Sequence, residues 1–229
     1  MIIARPLPIV GVRTGQRSGT AAAWHTARVR LYPLIALADT ALAAAGRHRE
    51  RFVSKPLLMP ALLAGKPRPV QRALALGGAG DVALLGSSDA AFTVGLGSFL
   101  AGHVAWMAAL RPRSTGALTA TKALPLAAAW AGLNGYLWSR TGKDRVPVLV
   151  YSTALVGTAL AALDTGDPAV AAGGALFVAS DTLLALHRFA GVELPLHEGL
   201  VMATYTSSQA LLARTADHPA RRRPPLTLA

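Results

Sequence analysis

Long runs of apolar residues dominate the chain, and they restrict its fold more than any other feature does. Of the 229 residues, 52% are hydrophobic and only 15% are charged, whereas a soluble domain averages roughly 25% charged residues. A helix needs about 20 apolar residues to cross a bilayer, with a range of roughly 17–25. The sequence therefore predicts an all-α membrane protein rather than a soluble globular domain.

Charges, prolines and glycines divide the apolar sequence into about eight candidate transmembrane helices. The predicted spans are residues 29–46, 53–65, 70–86, 92–110, 117–138, 146–163, 169–187 and 199–215. The second span is short and contains Pro56 and Pro60, so a tilted, kinked or partly re-entrant segment is an alternative there. We predict a polytopic helix bundle over residues 29–215, between a basic arm at 1–28 and a basic tail at 216–229.

The distribution of Lys and Arg predicts an orientation. With eight spans and a cytoplasmic N-terminus, most of these cations lie on the cytoplasmic side, so both termini are predicted to be cytoplasmic in the cell (inner) membrane. The first external loop, Arg47-His48-Arg49-Glu50-Arg51, is unusually basic for its side. The net charge of +12 is not arranged on a basic helix interleaved with aromatics, so we predict contacts with membrane lipids and no binding of nucleic acid.

Two aspartates lie deep inside predicted spans. Asp81, in the third span, and Asp181, in the seventh, are one hundred positions apart in similar local phrases. A carboxyl in hydrocarbon costs roughly 2.5–3.5 kcal/mol on insertion scales, so it usually marks a functional site. Their matched depth predicts a 4+4 internal repeat with both helices running in the same direction. The alternative is that each aspartate only hydrogen-bonds a neighbouring helix as a packing contact.

Paired carboxyls have a specific chemical use. Two such groups in one pocket can share a proton, so that one donates it while the other carries negative charge. This pair suits a reaction with a positively charged intermediate, and we predict that Asp81 and Asp181 are catalytic. The predicted substrate-binding residues are polar groups in or beside the other spans: Lys55, His103, Asn134, Tyr151, Tyr205 and Gln209.

Several of these residues have more than one interpretation. His103 could orient a carboxylate, donate to a phosphate or move a proton, or it could only bond a neighbouring helix. Lys55 either extends its ammonium to headgroups or binds a lipid phosphate. The chain has no cysteine, and no candidate ligand pair has helical i,i+3 or i,i+4 spacing. We therefore predict no metal site and no cofactor.

A set of short phrases, in order along the chain, resembles the YhhN family of multi-pass membrane proteins, also called the lysoplasmalogenase family. The phrases are residues 55–60, 80–85, 92–103, 146–151, 174–186 and 188–189, followed by Tyr205 and Gln209. Trp106 stands where the family pattern has tyrosine, and His187 where asparagine is common. The resemblance implies an enzyme that hydrolyses the vinyl ether bond of lysoplasmalogens to a fatty aldehyde and a glycerophospho-alcohol.

The chemistry of that bond fits the residues present. Vinyl ethers hydrolyse by protonation of the carbon beta to oxygen, which creates an oxocarbenium ion to which water adds. A protonated aspartate can act as the acid, and its ionised partner can stabilise the cation or activate water, as carboxylate pairs do in glycoside hydrolysis. The sequence does not assign the two roles between Asp81 and Asp181.

Two other functions use the same features. A small proton-coupled transporter or lipid flippase would use the two aspartates as proton-coupling carboxylates between repeat halves. A structural membrane protein would use its polar residues only as interhelical contacts. An enzyme requires both carboxyls in one closed pocket, whereas a transporter requires a path that opens alternately to each side. The sequence makes no prediction of the oligomeric state.

Overall fold

The computed structural model describes residues 18–116 and 118–216, with side chains described from residue 31 onward. This part of the chain forms eight α-helices, three short 3-10 helices and no strand, which confirms the predicted all-α fold. The α-helices are α1 (Ser18–Ala44), α2 (His48–Leu63), α3 (Arg68–Ala83), α4 (Asp89–Leu110), α5 (Ala120–Leu137), α6 (Arg145–Asp164), α7 (Pro168–Ala190) and α8 (His197–Ala213). The 3-10 helices are Arg111–Arg113, Gly142–Asp144 and Arg214–Ala216.

Local sequence signals set the helix boundaries. The hydroxyl of Ser88 accepts the backbone N–H of Ala91 at 3.1 Å and caps the start of α4, and the Asp167 carboxylate caps α7 in the same way. Gly191, with φ 65°, ends α7, because glycine adopts this left-handed conformation without strain. Each predicted span overlaps one helix.

Two boundaries differ from the prediction. Helix α1 begins at Ser18, inside the predicted arm of residues 1–28, because alanines with high helix propensity extend it towards the N-terminus. Helix α2 begins at His48 rather than at residue 53 and continues through Pro56 and Pro60 as one helix; whether it crosses the membrane or is re-entrant stays a prediction. Residues 1–17 and 217–229, which hold most of the predicted arm and tail, lie outside the described residues.

The helices form an up-and-down bundle in which consecutive helices run antiparallel. Side-chain to backbone hydrogen bonds join α3 to α4 (Ser98 to the Leu76 carbonyl, 2.7 Å), α7 to α8 (Ser180 to Val201, 3.1 Å) and α1 to α8 (Tyr32 to Thr206, 2.7 Å). The C-terminal ends of α1, α3, α5 and α7 therefore lie beside the N-terminal ends of α2, α4, α6 and α8. We call this the upper end of the bundle.

Close helix contacts depend on small residues. A Cβ atom on Gly80 of α3 would lie 2.6 Å from the Phe99 ring of α4, and one on Gly174 of α7 would lie 2.9 Å from the Ala159 Cα of α6. Glycine at these positions lets the backbones approach, which is the usual basis of helix packing where solvent is lipid.

A Gly174→Ala substitution is expected to lower the free energy of unfolding by about 1–3 kcal/mol, because the added methyl meets backbone that cannot rotate away. Gly97→Ala is the matched control, since a Cβ there has no atom within 4 Å, and it is expected to leave stability unchanged or slightly higher. Thermal unfolding in detergent measures both. Equal unfolding temperatures for the two variants would show that the α6–α7 contact is looser than described.

The apolar character of the bundle surface marks a membrane protein. Large apolar side chains are exposed there, among them Leu34, Val94 and Leu124 at 63%, 63% and 64%, an arrangement that favours lipid rather than water as solvent. Three described helices are long and apolar enough to cross a membrane: Asp89–Arg113, Gly142–Asp164 and Pro168–Ala190. That all eight helices cross remains a prediction.

The third and seventh helices resemble each other in burial. Residues 71–80 of α3 and 171–180 of α7 show the same order of buried, half-buried and exposed positions, ending just before Asp81 and Asp181. The first helices of the two halves differ, because α1 packs on α2 and α8, whereas α5 lies at the periphery against α6 and α7. The 4+4 repeat remains a prediction.

Candidate active site

A cavity of about 380 Å³ lies in the upper half of the bundle, and Asp81 and Asp181 both line it. Its volume falls within the range of roughly 300–1,000 Å³ that is typical of small-molecule pockets. Helices α2, α3, α4, α6, α7 and α8 contribute to the walls. The two aspartates lie on its floor, basic residues lie at its upper mouth, and apolar side chains such as Leu84, Leu96 and Met202 lie between.

Asp81 is almost completely buried, at 2% exposure, near the end of α3. The Lys55 ammonium of α2 lies 3.5 Å from Asp81 Oδ1. The Tyr205 hydroxyl of α8 donates to Oδ2 at 2.8 Å. One carboxyl therefore has a cation on one oxygen and a hydrogen-bond donor on the other, which together compensate a buried negative charge.

Asp181 has a different set of partners. The Tyr151 hydroxyl of α6 donates to Asp181 Oδ2, and Tyr151 Oη lies 3.3 Å from His103 Nε2 of α4. His103 Nδ1 lies 3.1 Å from the Thr158 hydroxyl. Because Tyr151 donates its proton to the carboxyl, its oxygen can accept a hydrogen bond from His103. Every bond in this series is made when His103 carries its proton on Nε2. This series of hydrogen bonds fixes the position of Tyr151, and through Tyr151 the position of the Asp181 carboxyl.

Aromatic rings separate the two carboxyl networks. Phe177 lies between His103 and Tyr205, with ring centroids 4.6 Å and 5.6 Å away, and Phe99 meets Tyr205 edge-on at 5.9 Å. The two phenylalanine rings pack against Tyr205, and the His103 ring meets Tyr151 at 5.3 Å, so aromatic contacts hold both tyrosines beneath the aspartates.

The structure brings together some of the predicted substrate-binding residues and not others. Lys55, Tyr151 and Tyr205 line the cavity. His103 lies behind Tyr151 at 1% exposure and does not line it. Asn134 and Gln209 do not line the cavity either.

Asn134 belongs to the contact between α5 and α6, where it donates to the Trp130 carbonyl at 2.8 Å and accepts from Ser152 at 3.1 Å. Gln209 is buried beneath the cavity, and its Oε1 has no hydrogen-bond partner among the described residues. Neither side chain lines the cavity, since each projects from its helix towards a neighbouring helix.

Sequence reasoning missed an ion-pair network beside the cavity. Arg51 donates to Glu198 at 2.8 Å, and its Nε lies 3.5 Å from Asp39. Ser54 also donates to Asp39, at 2.6 Å. Asp39 is completely buried inside a predicted span, so the energetic argument that selected Asp81 and Asp181 should have selected this third aspartate as well.

Among the residues that the structure describes, no three His, Asp or Glu side chains are grouped so that they could hold a metal ion. The carboxyls on the floor of the cavity are bonded to tyrosine hydroxyls and an ammonium instead. This arrangement can donate and accept protons, position water and stabilise a cation.

Comparison with known proteins gives one family and two named relatives. The sequence model of the YhhN family matches residues 50–216, a range that includes every cavity-lining residue except His48. Two proteins named lysoplasmalogenase, from Mycobacterium bovis and Mycobacterium tuberculosis, are each 37% identical over 109 residues. The matched stretch covers 43% of this chain and 41% of each relative. No solved structure matches the chain.

Proposed function

Because the chain belongs to the YhhN family, we propose that it is a membrane hydrolase that cleaves the vinyl ether bond of lysoplasmalogen-type lysophospholipids. The products are a fatty aldehyde and a glycerophospho-alcohol. The observation that carries the proposal is that two carboxyls, the buried one of Asp81 and the half-buried one of Asp181, line one cavity. The name of the two mycobacterial relatives supports the choice of substrate.

The partners of the two aspartates support one division of their roles. Lys55 compensates the charge of Asp81, which is therefore the ionised member of the pair. Among the described residues, no Lys or Arg lies within 4.0 Å of Asp181. An uncompensated carboxylate is costly between apolar walls such as those of Leu184, Met202 and Val148, so Asp181 retains its proton and is the acid.

The first half of the reaction forms a hemiacetal. Asp181 transfers its proton to the alkenyl carbon beta to oxygen, and the electron pair of the double bond forms the new C–H bond. The resulting oxocarbenium ion is stabilised by the Asp81 carboxylate. Water then adds to the carbon that bears the ether oxygen, and Asp81 accepts the proton that the water releases.

The second half restores both carboxyls. Asp81 returns its proton to the ether oxygen, and the bond from that oxygen to the hemiacetal carbon breaks. The hemiacetal hydroxyl passes its proton to Asp181 as the carbonyl of the aldehyde forms. One water is consumed, and the pair ends with Asp181 protonated and Asp81 ionised, as it began.

The location proposed for the enzyme rests on the distribution of Lys and Arg along the chain. We place it in the inner membrane as a multi-pass protein with cytoplasmic termini, so the cavity mouth faces the opposite side. The cavity is at the small end of the range for ligand pockets, so it holds the headgroup region of a single-chain lipid and not the whole molecule. The headgroup then lies at the mouth, and the hydrocarbon chain leaves between helices into the bilayer.

The competing transporter function requires a pathway that opens to both sides. All residues that line the cavity belong to the upper half of the bundle or its upper loops, an arrangement that favours a closed-ended reaction site. Polar packing alone does not account for a cavity between the carboxyls.

The deciding experiment incubates the detergent-purified protein with an alkenyl lysophospholipid and, separately, with its saturated alkyl ether analogue. Aldehyde is expected from the first and not from the second, since only a vinyl ether forms an oxocarbenium ion on protonation. No aldehyde, together with proton-dependent lipid uptake into liposomes, would favour the transporter.

Replacing Tyr151 with phenylalanine is expected to lower kcat about tenfold with little change in unfolding temperature. The substitution removes the hydrogen bond that orients Asp181, and a hydrogen bond to a catalytic carboxyl is worth about one factor of ten or more in rate. Steady-state aldehyde release measures the change. Tyr136→Phe, on the exposed face of α5, is the matched control. Equal rates for both variants would show that Tyr151 does not contribute to the reaction.

A further inference from the structure

The mouth of the cavity carries basic side chains that the proposed bond cleavage does not use. Arg188 and His187 come from the end of α7, His197 from the start of α8 and His48 from the start of α2, and all four line the cavity. His48 belongs to the loop and helix start whose basicity is unusual for the predicted external side. A cluster of this kind needs an explanation other than membrane orientation.

Arg188 differs from the other lysine and arginine side chains that line the cavity. Arg51 is paired with Glu198 at 2.8 Å and Lys55 lies 3.5 Å from Asp81, but no described carboxylate lies within 4.0 Å of Arg188. Its guanidinium carbon lies 3.7 Å from the centre of the Phe92 ring. Stacking fixes the plane of the guanidinium and leaves its N–H groups available for a bidentate anion.

Of the three histidines at the mouth, His48 lies 3.7 Å from Glu198 and His187 bonds the Val192 carbonyl, whereas His197 has unused hydrogen-bonding capacity. The rings of His187 and His197 stack with centroids 4.5 Å apart. Both ring nitrogens of His197 are shielded and have no hydrogen-bond partner among the described residues. Polar atoms that are buried without a partner cost free energy, so they mark a place where a ligand or water completes the bonding.

The spacing from this mouth to the floor fits one class of ligand. Arg188 is seven residues beyond Asp181 on α7, which is about 10 Å along the helix. In a lysoplasmalogen, seven bonds join the phosphorus to the alkenyl carbon that is protonated, or about 8 Å in an extended chain. A phosphate held at the mouth therefore places the vinyl ether at the floor, and the negative charge of Asp81 keeps the phosphate from entering further.

We propose that Arg188, with His197 at the same mouth of the cavity, forms a subsite for the phosphate of a lysophospholipid headgroup, and so selects phosphorylated substrates over neutral alkenylglycerols. This proposal rests on the proposed function for the identity of the lipid. It does not rest on catalysis, because a saturated ether lipid with the same headgroup should bind to the subsite without being cleaved.

The test measures the binding of two saturated ligands, an alkyl-glycerophosphoethanolamine and the corresponding alkylglycerol, to the detergent-purified protein. Arg188→Gln is expected to weaken binding of the phosphorylated ligand about ten- to a hundredfold and to leave binding of the neutral ligand unchanged. Arg188→Lys is expected to retain part of the affinity. Arg140→Gln is the matched control, because Arg140 also stacks on an aromatic ring at the upper end, 4.0 Å from the Tyr136 centroid, but does not line the cavity.

Competition identifies the anion. Glycerophosphoethanolamine is expected to displace the lipid at a lower concentration than inorganic phosphate does, since its glycerol extends from the subsite into the cavity. Stronger displacement by inorganic phosphate would overturn the proposal, as would an Arg188→Gln variant that binds both lipids normally or loses both equally. None of these binding results depends on aldehyde release, so failure of the subsite and failure of the hydrolase can be told apart.

Discussion

Replacing Asp181 with asparagine is expected to lower kcat for aldehyde release about a thousandfold. The asparagine keeps the shape of the side chain and can still accept the Tyr151 hydroxyl, but it has no proton to give to the alkenyl carbon. General acid catalysis contributes roughly 10²–10⁴ to a rate, and protonation at carbon is the slow step of vinyl ether hydrolysis. KM is expected to change little, because the amide occupies the same space.

The measurement is steady-state aldehyde release, with the unfolding temperature recorded to show that the variant is folded. Asp144→Asn is the matched control, since Asp144 precedes α6 and does not line the cavity. A kcat for Asp181→Asn within tenfold of the unmodified protein would show that Asp181 is not the acid.

Replacing Lys55 with methionine is expected to lower both stability and activity, through Asp81. Lys55 and Asp81 are 11% and 3% exposed as side chains, and removing one partner of a buried ion pair costs about 3–5 kcal/mol because the other charge loses its compensation. Asp81 then retains a proton and no longer accepts one from water. The activity loss should therefore be about a hundredfold or more.

A second variant separates the two effects. Lys55→Met combined with Asp81→Asn removes both charges, so its unfolding temperature should return most of the way to that of the unmodified protein, while aldehyde release stays absent. A double variant as unstable as Lys55→Met alone would mean that the lysine stabilises the bundle through other contacts.

The helix pattern could be predicted from the sequence because it depends on local signals. Apolar runs, prolines and glycines define each span, and the end of α7 at Gly191 follows from one residue and its neighbours. The presence of Asp81 and Asp181 in one cavity could also be anticipated, since a carboxyl in an apolar run is conspicuous, although the same argument was not applied to Asp39.

The remainder of the site depends on contacts between residues that are distant in sequence. Tyr205 bonds Asp81 across 124 positions, and Arg51 bonds Glu198 across 147. Spacing along the chain does not reveal such pairs, so Asn134 and Gln209 could not be distinguished from Tyr151 and Tyr205 by sequence alone. All four are polar groups within apolar helices, and only the direction in which each side chain projects separates them.

The sequence does not distinguish Arg188 from other basic residues, for a related reason. A basic residue at the end of an apolar helix is normally explained by headgroups or by membrane orientation. Only the cavity beneath it and the Phe92 ring against it distinguish this arginine from others at helix ends.

The central claim is that Asp81 and Asp181 act together on one substrate in one cavity. The most direct test is the rate of aldehyde release by Asp81→Asn, Asp181→Asn and the double variant, all shown to be folded. We expect the double variant to be no slower than the slower single variant, because residues that act as a unit in one reaction lose their effect together. A double variant whose loss of rate equals the product of the two single losses would contradict the account. So would a double variant that still releases aldehyde at an appreciable rate.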